Sequence, residues 1–436
     1  MTNAKTRNLL IAAFVTAPLL CCGGGAYLVT RKVDYYQESA RLDEMMTLAK
    51  VEGLPMTREE VEPEPVPNER NAQFVYQDLM KNWPKSAPKT EVENQFRNLA
   101  NNTNRYPEFD PIISKLEKRP LLKLNKDWDL GHYVLFPELE LAKRLTKIIS
   151  MQAVAEARNG NADFVQKRLR LLYTISDSHR TRSHIIPYLV GIAQRAIADN
   201  TALQCVVASK GNQAIIKSVR SVLSEPRARI ELTNPLRGEY YFGLATMRNI
   251  KSSRSIESAE DEDKLPLWTK NPRRSGNPTN IPMRGSLAAF TRHMIEYRSL
   301  IKNNPDAKDL GQRLNAYEES IPTTAANLMT AIILPVYGQA IDANRKSDIR
   351  PRIAEEAINL YLWCKSNGRA PKSASEAGIT FLDPYSNKPL GTVLRKGKLH
   401  LYSVGVNGRD EGGPATDNRK SDDFSLAFAL DPKWGR

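Results

Sequence analysis

The sequence predicts a mainly α-helical protein: an N-terminal transmembrane helix, a multi-helical body of α-hairpins, and a small C-terminal α+β module with an antiparallel sheet. Three observations support this. Leu9 to Val29 contains no charged residue, apolar residues recur at helical spacing through the middle of the chain, and short β-like runs are confined to the last part. We expect an anchor at 1–33, a juxtamembrane helix and Pro-rich spacer at 34–90, a helical body at 91–346 with a long loop at 251–285, and the module at 347–436.

The N-terminal apolar stretch predicts a membrane anchor. Leu9 to Val29 spans 21 residues, and a helix of this size is roughly 30 Å long, which matches the hydrocarbon core of a bilayer. We expect an uncleaved, single-pass anchor in the cell membrane, with the body on the extracytoplasmic side. Two alternatives stay open, a lipoprotein acylated at Cys21 or Cys22 and a cleaved signal peptide.

The chain is basic, with 63 Lys+Arg against 49 Asp+Glu and a formal net charge of +14. Such a charge favours nucleic acid or an anionic membrane surface as a partner. The positive residues are scattered among acidic ones, and no zinc-finger, RNA-recognition or helix-turn-helix signature accompanies them. We therefore expect no nucleic acid partner. The expected partners are the membrane, through Leu9–Val29, and envelope proteins that the sequence does not identify.

Helical periodicity identifies most of the elements. In the body, Leu145, Ile148, Ile149, Gln152 and Ala155 share one stripe, and Asn159-Gly160-Asn161 separates two helices of a hairpin. We expect these helices to pack as layers around one core. The predicted helices are 34–52, 71–83, 141–158, 162–175, 186–207, 287–302, 325–343 with a kink at Pro335, and 347–365. The predicted strands are 391–394, 399–403 and 424–429.

Four motifs of the C-terminal module resemble the globular part of the major pseudopilin of type II secretion. They are Ala357-Ile-Asn-Leu-Tyr361, Asn367-Gly-Arg-Ala-Pro371, Asp383-Pro-Tyr-Ser-Asn-Lys-Pro-Leu390 and Leu401-Tyr-Ser-Val-Gly-Val-Asn-Gly408. The resemblance implies a helix leading into a three-stranded sheet with a calcium-holding loop. It covers about the last fifth of the chain, and a pseudopilin leader is absent from the N-terminal stretch. The remainder is similar to membrane-anchored bacterial proteins of unknown function.

The loop before the last predicted strand has the composition of a calcium site. Asn407, Asp410, Asp417, Asp422 and Asp423 supply side-chain oxygens, the ligands that calcium prefers, and glycines permit tight turns. The spacing is not that of an EF-hand. The alternative is a salt-bridged loop without metal, because Arg409, Arg419 and Lys420 lie among the acids. The sequence thus predicts calcium as a cofactor but leaves this alternative open.

Histidines and cysteines give no catalytic pattern. His179 and His184, near Asp177, are five residues apart and so lie about 140° apart around a helix, which is unsuitable for a shared metal face. We interpret both as surface residues at a helix junction. Cys205 has apolar neighbours and is predicted to be a core residue, and a disulfide with Cys364 is open in an oxidising compartment.

The sequence therefore predicts a non-enzymatic, membrane-anchored envelope protein that acts as a scaffold or binding protein. No nucleophile-elbow, zinc-protease or dinucleotide-binding motif is present. One alternative is an enzyme whose site is hidden in the helical body, because catalytic residues can be distant in sequence. Another is a component of a pseudopilus or secretion assembly. A deep pocket holding several convergent histidines or carboxylates would favour the enzyme.

Overall fold

The computed structural model describes residues 37–61, 66–227, 230–252, 283–305, 307, 309–322, 324, 327, 330, 335–416 and 421–434. This part of the chain is mainly helical and carries a small antiparallel sheet at its C-terminal end, as predicted. Within it, no helix is both long enough and apolar enough to cross a bilayer. The predicted anchor Leu9–Val29 lies outside the described residues.

The described helices follow the predicted order. They are α1 (Leu42–Val51), α2 (Gln73–Lys81), α3 (Lys89–Arg97), α4 (Asp110–Lys118), α5 (Pro137–Arg158), α6 (Ala162–Arg180), α7 (Ile185–Ala208), α8 (Gln213–Leu223), α9 (Asn234–Ser252), α10 (Met283–Asn303), α11 (Leu310–Ser320) and α12 (Pro335–Asn367). The predicted loop 251–285 falls between α9 and α10, and residues 253–282 are outside the described chain.

The hairpin of α5 and α6 shows how local sequence sets these elements. The predicted stripe of α5 is buried, including the polar Gln152. Gly160 adopts a φ of +75° in the turn, which glycine allows at low cost. The side chain of Asn161 then accepts a hydrogen bond from the Phe164 N–H at 3.3 Å and caps the start of α6. Both features match the turn that the sequence predicts.

The long helix α12 begins at Pro335, a position where proline is tolerated because the first N–H of a helix has no partner within it. It runs without a break through residues 344–346, so the prediction of two separate helices at 325–343 and 347–365 is wrong over the described residues. The kink predicted at Pro335 depends on residues 331–334, which lie outside the described chain, and it stays a prediction. The helix packs against α7, α8 and α11 and against two strands of the sheet.

The sheet has three strands, β1 (Gly391–Arg395), β2 (Lys398–Ser403) and β3 (Phe424–Ala429). Their order is β1-β2-β3, and both pairings are antiparallel. Leu401 pairs with Leu426, and both side chains are buried. The three predicted strands are thus confirmed to within a residue at either end.

The described apolar side chains form two buried clusters, so the expectation of a single core is wrong for this part of the chain. The larger cluster joins the body to the sheet, since it includes Val154 of α5, Leu203 of α7, Ile358 of α12 and Phe428 of β3. The smaller one is rich in tyrosine and lies among α7, α9, α10 and α12. The sheet therefore shares a hydrophobic core with the helical body.

Both cysteines of the described chain are buried free thiols. Cys205 is part of the larger cluster, as its apolar neighbours predict. Burial raises the pKa of Cys205 and raises that of Cys364 to about 11, so both are protonated at neutral pH. They act as small apolar residues of the core.

Candidate functional site

The predicted calcium loop is held together by its own hydrogen bonds. Asp423 accepts from the backbone N–H of Gly413 at 2.6 Å, and Asp422 accepts from that of Asn407 at 3.0 Å. Asp422 also pairs with Lys346 of α12. Asp410 accepts from the Tyr402 hydroxyl at 3.0 Å. Each of these carboxylates therefore already has partners in the protein.

Sequence reasoning missed Glu411, which is central to this loop. Its carboxylate accepts from the Asp422 N–H at 2.5 Å and from the Asn407 side-chain amide at 3.0 Å. The hydrogen bond from the Asp422 N–H is the main reason that the pKa of Glu411 is lowered. Within the described chain, no three acidic, histidine or cysteine side chains converge as metal ligands. Asp417 lies outside the described residues, so calcium binding stays a prediction.

The prediction that His179 and His184 are surface residues is wrong. Both are about 1 % exposed. His179 contacts the Ile175 carbonyl oxygen through Nδ1 at 2.8 Å, and burial lowers its pKa to about 4. The spacing of two residues along the chain does not show which side chains from other elements pack against them. Such side chains are what bury both rings.

His184 forms a buried pair with Glu239 of α9. Its Nδ1 lies 3.0 Å from Glu239 Oε1, and its ring stacks on Trp128 with 5.6 Å between centroids. Burial lowers the pKa of His184 to about 3 and raises that of Glu239 to about 7. The imidazole is therefore neutral at physiological pH, and the contact is a close approach of two buried polar groups rather than an ion pair. The His184 Nδ1 accepts a hydrogen bond from the Ile186 N–H at 3.3 Å.

This pair does not lie in a deep pocket, which is the arrangement that would favour an enzyme. Glu239 is 6 % exposed, and Phe136 and Phe242 contact the His184 ring beside Trp128. Neither His184 nor Glu239 lines any of the described clefts. The pair therefore belongs to the packed interior.

A basic cleft lies where the sheet meets the helical body. It has a volume of about 390 Å³ and runs along β3, the edge strand of the sheet. Three cations line it, Arg97 at the end of α3, Arg350 of α12 and Lys398 of β2, together with His400 of β2. None of the described residues that line it is acidic. We call this feature the seam cleft.

Amide and hydroxyl groups complete the wall of the seam cleft. They belong to Asn98, Asn101, Asn200, Gln204 and Ser425. The Gln204 Nε2 donates to the Ala427 carbonyl oxygen at 2.9 Å and so joins α7 to the outer edge of β3. The Gln204 Oε1 is buried and has no hydrogen-bond partner in the described chain. The wall thus combines cations with uncharged polar groups, the set that recognises oxyanions.

A buried carboxylate lies behind the inner cation of the seam cleft. Asp199 of α7 is fully buried, and its Oδ2 lies 3.8 Å from the Arg350 Nε. The same carboxylate accepts from the Tyr173 hydroxyl at 2.8 Å and lies 3.9 Å from the Arg195 Nε. Because Asp199 is shared by two arginines, it neutralises Arg350 only in part.

The outer cations have no such counter-charge. Arg97 and Lys398 are exposed, and neither pairs with a carboxylate of the described chain. His400 lines the same cleft, with its Nδ1 3.0 Å from the Ser425 Oγ. Burial lowers the pKa of His400, and the charges of Arg395 and Lys398 lower it further. The seam cleft therefore has an excess of positive charge that the described protein does not balance.

No motif predicts the seam cleft, because its residues come from separate parts of the chain. Arg97, Gln204, Arg350 and Lys398 are far apart in sequence and meet only through the packing of the sheet on α7 and α12. The only sequence signal was the excess of lysine and arginine. No protein-family model matches the chain, and no curated protein or solved structure shows significant similarity to it.

We predict that calcium, if it binds the acidic loop, stabilises the folded protein. At a hundredfold excess over its dissociation constant, an ion that binds only the native state contributes about 2.7 kcal/mol. Thermal unfolding of the full chain with calcium and then with chelator measures the gain. Asp422→Ala should abolish the calcium-dependent difference, and Asp431→Ala, beyond β3, should retain it. Identical melting in calcium and chelator would leave the hydrogen-bonded loop as a metal-free structure.

We also predict a pH-dependent effect of Glu239→Gln. The folded protein keeps a proton on Glu239 up to pH about 7, whereas the unfolded chain loses it near its ordinary pKa of 4.5. The stability that this proton confers is therefore present at low pH and is lost as the pH rises through about 7. The variant has no such loss. As the pH rises from 5 to 8, the free energy of unfolding of the variant should therefore rise by about 2–3 kcal/mol relative to that of the natural protein.

Urea unfolding at the two pH values, followed by tryptophan fluorescence, measures this difference. The control is Glu69→Gln at an exposed site, which should show no pH-dependent change relative to the natural protein. An equal effect of Glu239→Gln at pH 5 and pH 8 would contradict the buried, proton-retaining carboxyl.

Proposed function

We propose that the protein is a non-enzymatic, membrane-anchored binding protein that captures an anionic ligand in the seam cleft. The observation that supports this most directly is the composition of the cleft wall. Three permanent cations and a histidine line it, and none of the described lining residues is acidic. In a partly enclosed site such charges interact with an anion more strongly than in open water. The anchor at Leu9–Val29 would hold this site close to the membrane.

The arrangement of the cleft favours binding over catalysis. Its lining contains a single histidine, His400, and no carboxylate in the described chain that could act as its acid or base partner. The titratable pair with shifted pKa values, His184 and Glu239, lies in the packed core away from the cleft. The Arg350 Nε lies 3.8 Å from the buried Asp199 carboxylate, so this cation has a counter-charge that favours its position before a ligand arrives.

A role in a pseudopilus-like assembly is a further proposal, supported by the order of elements in the module. Helix α12 leads into the three-stranded sheet β1-β2-β3, the arrangement that the resemblance implies. The sheet of this chain is packed on a helical body, since Phe428 and Leu203 belong to one cluster. Co-purification with secretion components would support the assembly role.

The test of the proposed function is anion binding by the full chain in detergent. Isothermal titration with inorganic phosphate, at constant ionic strength, should show one saturable site. The double variant Arg97→Ala with Lys398→Ala should weaken binding at least about tenfold, because it removes the two outer cations. Arg350 is left intact, since its removal would also leave Asp199 buried without one of its cations.

The matched control is Lys217→Ala, an exposed lysine of α8 that does not line the cleft. It lowers the net charge of the protein by one unit without changing the seam cleft, and it should bind phosphate as the natural protein does. Equal binding by the double variant and the natural protein would refute the seam cleft as the site. Absence of any anion binding would refute the proposed function.

A further inference from the structure

The seam cleft carries more positive charge than a single carboxylate would balance. Arg97, Arg350 and Lys398 contribute three positive charges, and Asp199 behind Arg350 is shared with Arg195. A monoanion would leave most of this charge uncompensated. A tetrahedral dianion offers several oxygens to the guanidinium groups of Arg97 and Arg350 and to the amides of the wall.

His400 is placed to respond to such a ligand. Its Nδ1 lies 3.0 Å from the Ser425 Oγ, and the residue lines the cleft. The neutral ring has one N–H to share between Ser425 and a ligand, whereas the charged ring has two and adds a positive charge. A bound dianion would favour that charged form, because it offsets the neighbouring cations that disfavour it.

We infer that the seam cleft accepts a doubly charged oxyanion, such as the phosphate of a phosphomonoester, and that His400 takes up a proton when it binds. This inference rests on the proposed function and specifies its ligand class. For an anion that stays doubly charged, binding should therefore strengthen as the pH falls from 8 to 5, whereas a phosphomonoester itself takes up a proton at about pH 6. The charged groups around His400 are Arg395, Lys398, Arg97 and Arg350, contributed by β1, β2, α3 and α12.

Arginine and lysine side chains carry a positive charge throughout the interval from pH 5 to pH 8. The described lining of the cleft holds no carboxylate, and α7 and β3 contribute only uncharged side chains to it. Asp199 lies behind Arg350 without lining the cleft, and burial raises its pKa. A pH response that is lost in His400→Gln is therefore assigned to His400, and one that persists is assigned to Asp199.

Sulfate is the appropriate probe, because it remains a dianion throughout this pH range and adds no titration of its own. Titration of the full chain in detergent with sulfate should give binding on the order of tenfold tighter at pH 5 than at pH 8. His400→Gln preserves a polar group of similar reach and removes the titration. This variant should bind sulfate with the same affinity at both pH values. Acetate should bind at least tenfold more weakly than sulfate at pH 5.

The outcomes separate this inference from the proposed function. Sulfate binding that does not change with pH, or acetate binding as tight as sulfate, would overturn the inference even if the cleft binds phosphate. A pH response that persists in His400→Gln would also overturn it. Failure of phosphate, sulfate and acetate alike would overturn both proposals.

Two sources of a phosphomonoester can then be distinguished. Glycerol 3-phosphate in solution and phosphatidic acid in phosphatidylcholine vesicles carry the same group, and both are tested at pH 8, where the ester is doubly charged. Binding of either one supports the inference when the double variant Arg97→Ala with Lys398→Ala weakens it. Binding of the vesicles alone would identify a lipid headgroup, and binding of the soluble ester alone would identify a small molecule.

Discussion

The arrangement of the seam depends on the buried carboxylate of Asp199. A charged group in a protein interior needs partners, because the loss of hydration costs several kcal/mol. Asp199 meets this need with Tyr173 of α6, Arg195 of its own helix and Arg350 of α12. Burial raises the pKa of Asp199, and the two arginines act in the opposite direction. These contacts connect three helices and bring Arg350 to the edge of the cleft.

The position of α12 in turn places the sheet. This helix contacts α7 on one side and β2 and β3 on the other, and the larger apolar cluster continues from the body into the strands. Gln204 of α7 connects to the edge of β3 through the Ala427 carbonyl. The cleft is thus formed by two surfaces that hydrophobic packing holds together, while its charge comes from side chains at their margins. Arg350 belongs to both the packed junction and its charged margin, since it approaches the buried Asp199 and also lines the cleft.

Local patterns in the sequence predicted the helices and strands well, because periodicity and turn residues act over short distances. The hairpin at Asn159-Gly160-Asn161 and the strand at 424–429 follow directly from such signals. The seam cleft could not be predicted, since Arg97, Arg350 and Lys398 meet only in the folded chain. The burial of His184 was missed for the same reason. Its aromatic neighbours, Trp128 and Phe242, come from other parts of the sequence.

We propose that the seam between sheet and body is an anion site. Crystals of the protein grown or soaked with selenate would test this directly, because selenium locates the oxyanion by anomalous scattering. An anomalous peak is expected in the cleft, within hydrogen-bond reach of Arg350 and at least one of Arg97 and Lys398. Selenate bound elsewhere on this basic chain, with the cleft holding none, would contradict an anion site at the seam.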